Sequence, residues 1–101
     1  MDRITFFEQM LAGDPENTMV LFGLANEYLK NGDAENGIKT LERYLSLADD
    51  EGAAWGMLAD AYQSQGEVEK ANDALKSGIA AASKHGHPTM VEQFSSRLDE
   101  S

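Results

Sequence analysis

Two histidines one residue apart, His85 and His87, are the residues whose type and spacing first suggest chemistry. A neutral imidazole is the commonest metal ligand near pH 7, and Glu92 lies five residues on. A zinc site needs three or four converging ligands with supporting hydrogen bonds. Here there are two histidines, one loosely placed carboxylate and no cysteine. The pair reads instead as a solvated turn at a helix end, where histidine also suits the negative pole of the helix. No metal is expected. The 18 acidic residues offer many carboxylate pairs. However, Glu35, Glu42, Glu69 and Asp73 lie among Lys39, Arg43, Lys70 and Lys76 at helical spacings, the pattern of exposed ion pairs. No nucleophile elbow, phosphate-binding loop or H-E-x-x-H motif is present. The chain is therefore read as not an enzyme and as needing no cofactor.

The aromatic residues could stack bases. Trp55, Tyr28 and Tyr62 would have to provide that platform, but all three fall on helical core stripes. The formal net charge is −10 and the pI near 4.4. So acidic a surface repels phosphate backbones and anionic membranes, so neither nucleic acid nor a membrane is expected as a partner. The opening "MDRITFFEQMLAG" has no basic leader region and only a short apolar stretch, so it does not read as a signal peptide. No run is long enough to span a bilayer. The absence of cysteine excludes disulfides and is compatible with a reducing compartment. The expected address is the cytoplasm. The 101 residues suffice for one domain with a modest core.

The elements that must position any site come from a repeat. Residues 18–51 slide onto 52–85 without a gap, a period of 34. Leu24/Leu58, Ala25/Ala59, Tyr28/Tyr62, Gly32/Gly66, Glu35/Glu69, Leu41/Leu75 and Ala48/Ala82 are identical, and Leu21/Trp55 and Gly37/Ala71 are conservative. Fixed periods of this size build solenoids whose units bury their apolar faces against one another. Leu21, Leu24, Ala25 and Tyr28 stand at i, i+3, i+4 and i+7, as do Trp55, Leu58, Ala59 and Tyr62. Each set predicts an amphipathic helix. Gly32 and Gly66 predict helix stops in the left-handed conformation. Asp33 is placed to cap a second helix carrying Gly37, Leu41, Leu45 and Ala48. Gly66-Glu67 likewise opens a helix with Ala71, Leu75, Ile79 and Ala82. The small pairs Ala25 with Gly37 and Ala59 with Ala71 suit close approach of the two helices in each unit.

The run W-x-x-L-A-x-x-Y at Trp55–Tyr62, followed by Gly66, Ala71 and Leu75, resembles the tetratricopeptide repeat (TPR). The small residue expected late in the second helix is Tyr44 in the first unit and Gly78 in the second. The closing proline is replaced by Asp49 and Ser83. Pro15 stands where a proline would close a preceding repeat, so residues 2–15 read as a half-repeat helix with Phe7 and Met10 on packing positions. At the other end "HGHP" shifts the frame by two residues. Val91, Phe94 and Leu98 then restore the stripe, so residues 88–100 read as a capping helix with Pro88 near its first turn. The resemblance implies one all-α domain, a right-handed superhelical solenoid of antiparallel helix pairs with about six helices.

It also implies a concave groove lined by the first helices. By frame the groove positions are Met19, Phe22, Gly23, Asn26 and Lys30, then Ala53, Gly56, Met57, Asp60 and Ser64, with Glu92 and Ser96 added by the capping helix. Some family members clamp a peptide carboxylate with lysines, an arginine and asparagines. Asn26 matches one asparagine, but Phe22 and Met57 replace other clamp residues, so the clamp is not carried over. A mixed groove remains: Met19, Phe22 and Met57 are apolar, and Asp60 adds negative charge. The expected function is binding of a peptide or helix of a partner protein that carries apolar and basic residues. The alternative is self-association, two chains closing an apolar edge of Ile4, Phe7, Met10 and Leu11 in the half-repeat against each other as a symmetric dimer; the chain is expected to be a monomer or a weak homodimer.

Overall fold

The computed structural model describes residues 2–99. They form α1 (Arg3–Gly13), α2 (Thr18–Lys30), α3 (Ala34–Leu47), α4 (Ala53–Ser64), α5 (Val68–Lys84) and α6 (Pro88–Asp99), with no strand among them. The chain makes two compact units, one ending at Ala48 and the other beginning at Asp49.

In the first unit each helix opens on an acceptor side chain. Asp2 accepts from the Thr5 amide at 2.7 Å, Asn17 from Val20 at 3.1 Å and Asp33 from Asn36 at 3.2 Å. These bonds satisfy amides that the first helical turn leaves without a carbonyl. α2 ends as expected, with Gly32 at φ 80°. The Asp33 amide reaches back to the Tyr28 carbonyl at 2.9 Å and the Gly32 amide to Leu29 at 3.1 Å, the double closure of a Schellman cap. Gly66 repeats this in the second unit, with φ 74° and Glu67 bonding Tyr62 at 2.9 Å. The same cap appears a third time in the turn that breaks the sequence frame: the His87 amide bonds the Ala82 carbonyl at 2.8 Å around Gly86. "HGHP" is thus a helix stop followed at once by a proline-started helix, the arrangement that Pro at the first helical position favours.

Two features of α4 and α3 were not legible in the repeat. Asp50 caps α4 from outside it, its Oδ2 accepting from Gly52 at 2.9 Å and Ala54 at 3.0 Å. α3 stops at Leu47, and Ala48, expected on its stripe, is extended at φ −112°, ψ 146°.

Apart from Phe94, the core is aliphatic. Leu21, Leu24, Ala25 and Leu41 are buried in the first unit, and Leu58, Ala59, Ala71, Leu75 and Ala82 in the second, as the stripes predict. The aromatic members of those stripes are not so deep: Tyr28, Trp55 and Tyr62 are only half-buried. The Tyr28 hydroxyl reaches Glu8 on α1 at 3.3 Å. Gly37 was expected against Ala25, but its nearest neighbour across the pair is Leu29. A Cβ on Gly37 would stand 2.5 Å from Leu29 Cδ2, so α3 approaches α2 over Leu29.

α1 and α6 each pack by one phenylalanine on glycine. The Phe7 ring lies where a Cβ on Gly23 would sit at 3.0 Å. Phe94 is buried, and its ring comes within 2.9 Å of a Cβ placed on Gly56 and 2.8 Å of one on Gly78. In the frame, Tyr44 takes the place of Gly78. It packs on Phe22, with ring centroids 5.2 Å apart.

Candidate functional site

Of the residues expected on the first helices, Met19 is 85% exposed. Asn26, Lys30 and Asp60 are exposed, and Phe22 and Met57 are half-buried. In the first unit Thr18, Met19, Phe22 and Tyr44 line a shallow pocket of about 270 Å³. Its wall is the tilted Phe22–Tyr44 pair, with ring centroids 5.2 Å apart. Lys30 stands 3.9 Å from Glu27. Glu27 escaped the sequence reading altogether. It is the buried carboxylate of α2, and Arg3 of α1 bonds it at 2.6 Å. Burial without such a partner would be costly.

Two expected groove positions are not open. Gly23 faces Phe7, and Gly56 is buried beneath Phe94. Glycine at these places serves the docking of α1 and α6, since a side chain there would collide with the ring. In the second unit Asp60 is exposed as expected, but its charge is already matched. Arg97 of α6 donates to Asp60 Oδ1 at 2.5 Å and to Gln63 Oε1 at 3.4 Å. A basic group on a partner would have to replace Arg97.

The histidines do not act as a solvated turn alone. His87 Nε2 lies 2.5 Å from Glu51, and Lys84 lies 3.4 Å from Asp49. His85 Nε2 is shielded from solvent and lies 3.2 Å from Asp49 Oδ2, close enough for charge attraction though not aligned for a hydrogen bond. These contacts tie the segment before α4 to the turn after α5. Glu92, the carboxylate first considered as a co-ligand, lines a pocket of about 380 Å³ with Ser83, Gly86, His87, Pro88 and Val91. Among the described residues no three His, Cys, Asp or Glu side chains gather as a metal site would require. The exposed charges follow expectation in part. Lys39 pairs with Glu35 at 3.4 Å, whereas Lys70 sits 5.9 Å over the Tyr62 ring and Arg43 donates to the Pro15 carbonyl.

Four carboxyls are held below their usual range in the folded chain. The His85 and Lys84 side chains hold the Asp49 carboxyl below its usual range, and His87 does so for Glu51. The Asn36 side chain and amide lower Asp33, and the Thr5 amide lowers Asp2. A carboxyl that is depressed in the folded chain binds a proton more readily when unfolded. Its stabilisation is therefore complete above the ordinary carboxylate pKa of about 4 and is lost as pH falls through the lower folded value. The melting temperature is expected to fall below about pH 4. In Asp49→Asn/Glu51→Gln, which cannot titrate there, the fall should be shallower.

Residues 28–87 match the family model of the tetratricopeptide repeat. The chain belongs to the TPR family. It is 37% identical over 79 residues to the TPR repeat-containing protein PA0015 of Pseudomonas aeruginosa, a match that covers 78% of this chain and 75% of that one. Among solved structures, protein BPP2914 from Bordetella parapertussis superposes with a TM-score of 0.81 at 26% identity, over 99% of this TPR chain and 87% of that one. The MamA protein superposes with a TM-score of 0.73 at 21% identity, covering 94% of this chain and 60% of its own, and so shows the fold alone. TPR repeats mediate protein–protein interaction and scaffolding, and TPR proteins bind partner proteins or peptides. The all-α TPR fold read from the sequence is the fold of this chain. No helix among the described residues is long and apolar enough to cross a membrane.

Proposed function

We propose that this TPR chain is a non-enzymatic binding module that holds a peptide or helix of a partner protein against its first helices. The contact residues are Met19, Phe22, Asn26 and Lys30 on α2, and Met57 and Asp60 on α4. The observation that supports the reading most is Met19, 85% exposed beside the Phe22–Tyr44 pair. A large apolar side chain left in water beside aromatic rings supplies contact area at no cost to the fold, and methionine adapts to varied partners. The ligand carries apolar anchors, with a basic residue that competes with Arg97 for Asp60. The proposed setting is the cytoplasm, with which the lack of cysteine is compatible.

The test is titration of a partner recovered from the native host, with chemical shifts followed along the chain. Met19→Ala should weaken binding by about fivefold or more, the scale of an interface residue worth at least 1 kcal/mol, with an unchanged melting temperature. Phe22→Ala should weaken it further. Full affinity in Met19→Ala and Phe22→Ala, with shifts confined to α3 and α5, would refute the proposal.

One observation favours the second reading, self-association through α1. Phe6 is 52% and Met10 41% exposed, and α1 has no buried residue. The apolar edge is therefore Phe6 and Met10. Phe7, first counted in it, is turned onto Gly23.

A further inference from the structure

The 101 residues include five methionines and no cysteine, so the thioethers are the side chains that a peroxide attacks most readily. Four of the five lie among the described residues, and they are not equally open. Met19 is 85% exposed and Met10 41%, whereas Met57 and Met90 are half-buried. The Met90 sulfur lies against the backbone of the second unit: a Cβ on Gly52 would stand 2.5 Å from it. An oxidant has to reach the sulfur from solvent, so Met19 is the first to react.

The setting of Met19 gives that reaction a consequence. It is the second residue of α2 and stays off the buried stripe of Leu21, Leu24 and Ala25. With Thr18, Phe22 and Tyr44 it lines the shallow pocket of about 270 Å³ beside the tilted ring pair. The side chain thus offers contact area to a ligand and carries no part of the core. In the free chain a sulfoxide oxygen at this place stays in water and leaves the fold undisturbed. Once an apolar ligand covers the side chain, the same oxygen is stripped of water, and the ligand has no hydrogen bond to give it.

We propose that Met19 is a reversible oxidation switch on this pocket, the thioether form binding apolar ligands and the sulfoxide form binding them weakly. In the forward step the sulfur attacks one oxygen of hydrogen peroxide. An S–O bond forms and the O–O bond breaks; sulfur is oxidised by two electrons, and the other peroxide oxygen leaves as water. The return step takes a thiol reductant acting through methionine sulfoxide reductases: two thiols become a disulfide and the sulfoxide oxygen leaves as water. The inference rests on the reading that Met19 and Phe22 face a ligand, and adds how that contact is turned off.

The test begins with hydrogen peroxide treatment of the whole chain. Peptide mass spectrometry should find Met19 oxidised several-fold faster than Met57 and Met90, and equal rates overturn the proposal. Binding is read with Nile red, a neutral apolar dye, by its fluorescence and by the amide shifts of Thr18, Met19 and Phe22. Oxidation should weaken dye binding by about fivefold or more, the scale of a polar group buried without a partner, at an unchanged melting temperature. A sulfoxide form that binds the dye as well as the thioether form overturns the switch and leaves the groove reading standing. A dye that fails to shift Thr18, Met19 and Phe22 in the untreated chain counts against the groove itself, and the switch falls with it. Two variants isolate the residue. Met19→Gln, polar and of similar length, should weaken binding without any oxidant. In Met19→Leu the affinity should be the same before and after peroxide, whatever its starting value. A loss that persists there comes from the other methionines and overturns the assignment. Reductases for both sulfoxide epimers should restore binding to the treated wild-type chain, and failure to restore it overturns the reversible switch.

Discussion

Phe94→Ala should be among the most damaging single substitutions in this chain, lowering stability by about 3–5 kcal/mol. The ring is 7% exposed and fills a notch floored by Gly56 of α4 and Gly78 of α5. Neither glycine has a side chain that could relax into the space, so the cavity would persist, and persistence of the cavity is what raises the cost of truncation. Domains of this size have about 5–15 kcal/mol in total. At about 4–8 °C per kcal/mol the melting temperature should fall by more than about 10 °C. Thermal unfolding followed by circular dichroism measures it. A shift of only a few degrees would mean that α6 contributes little to the second unit. Phe94→Leu should recover part of the loss, because it refills some of the volume.

Leu41→Ala should cost about 2–5 kcal/mol, and Leu75→Ala about the same. The two leucines hold the same place in the repeat, 34 residues apart, and both are fully buried. Their surroundings differ in one respect that gives the comparison its use. Beside Leu41 the late position of the helix is Tyr44, held on Phe22, whereas beside Leu75 it is Gly78, held open for Phe94. A tyrosine ring can shift toward a neighbouring void and a glycine cannot. Leu75→Ala is therefore expected at the upper end of that range and Leu41→Ala at the lower. Urea unfolding of both variants with matched slopes would check the order. Leu41→Ala as the costlier of the two would show that Tyr44 is locked in place and does not relax.

The helices, their stops and most of the core could be read from the chain because they depend on local spacing. A stripe at i, i+3, i+4 and i+7 implies an amphipathic helix whatever it packs against, and a glycine at the end of such a stripe implies the cap seen at Gly32 and Gly66. The repeat then carried the family, since a period of 34 with Trp55, Leu58, Ala59 and Tyr62 in place leaves few other architectures. What only the tertiary structure decided depends on partners far apart in sequence. Gly23 and Gly56 looked like groove positions on the helical wheel but are seats for Phe7 and Phe94, brought from helices 16 and 38 residues away. Asp60 looked like a free charge until Arg97 crossed to it, and nothing in the spacing of α2 singled out Glu27, which is buried and paired with Arg3 of α1. His85 and His87 offered too few ligands for a metal in the sequence, and their carboxylates, Asp49 and Glu51, lie 36 residues earlier. Spacing tells which face of a helix turns inward. Which element meets that face depends on long-range packing, and so does whether a small residue there is an opening or a socket.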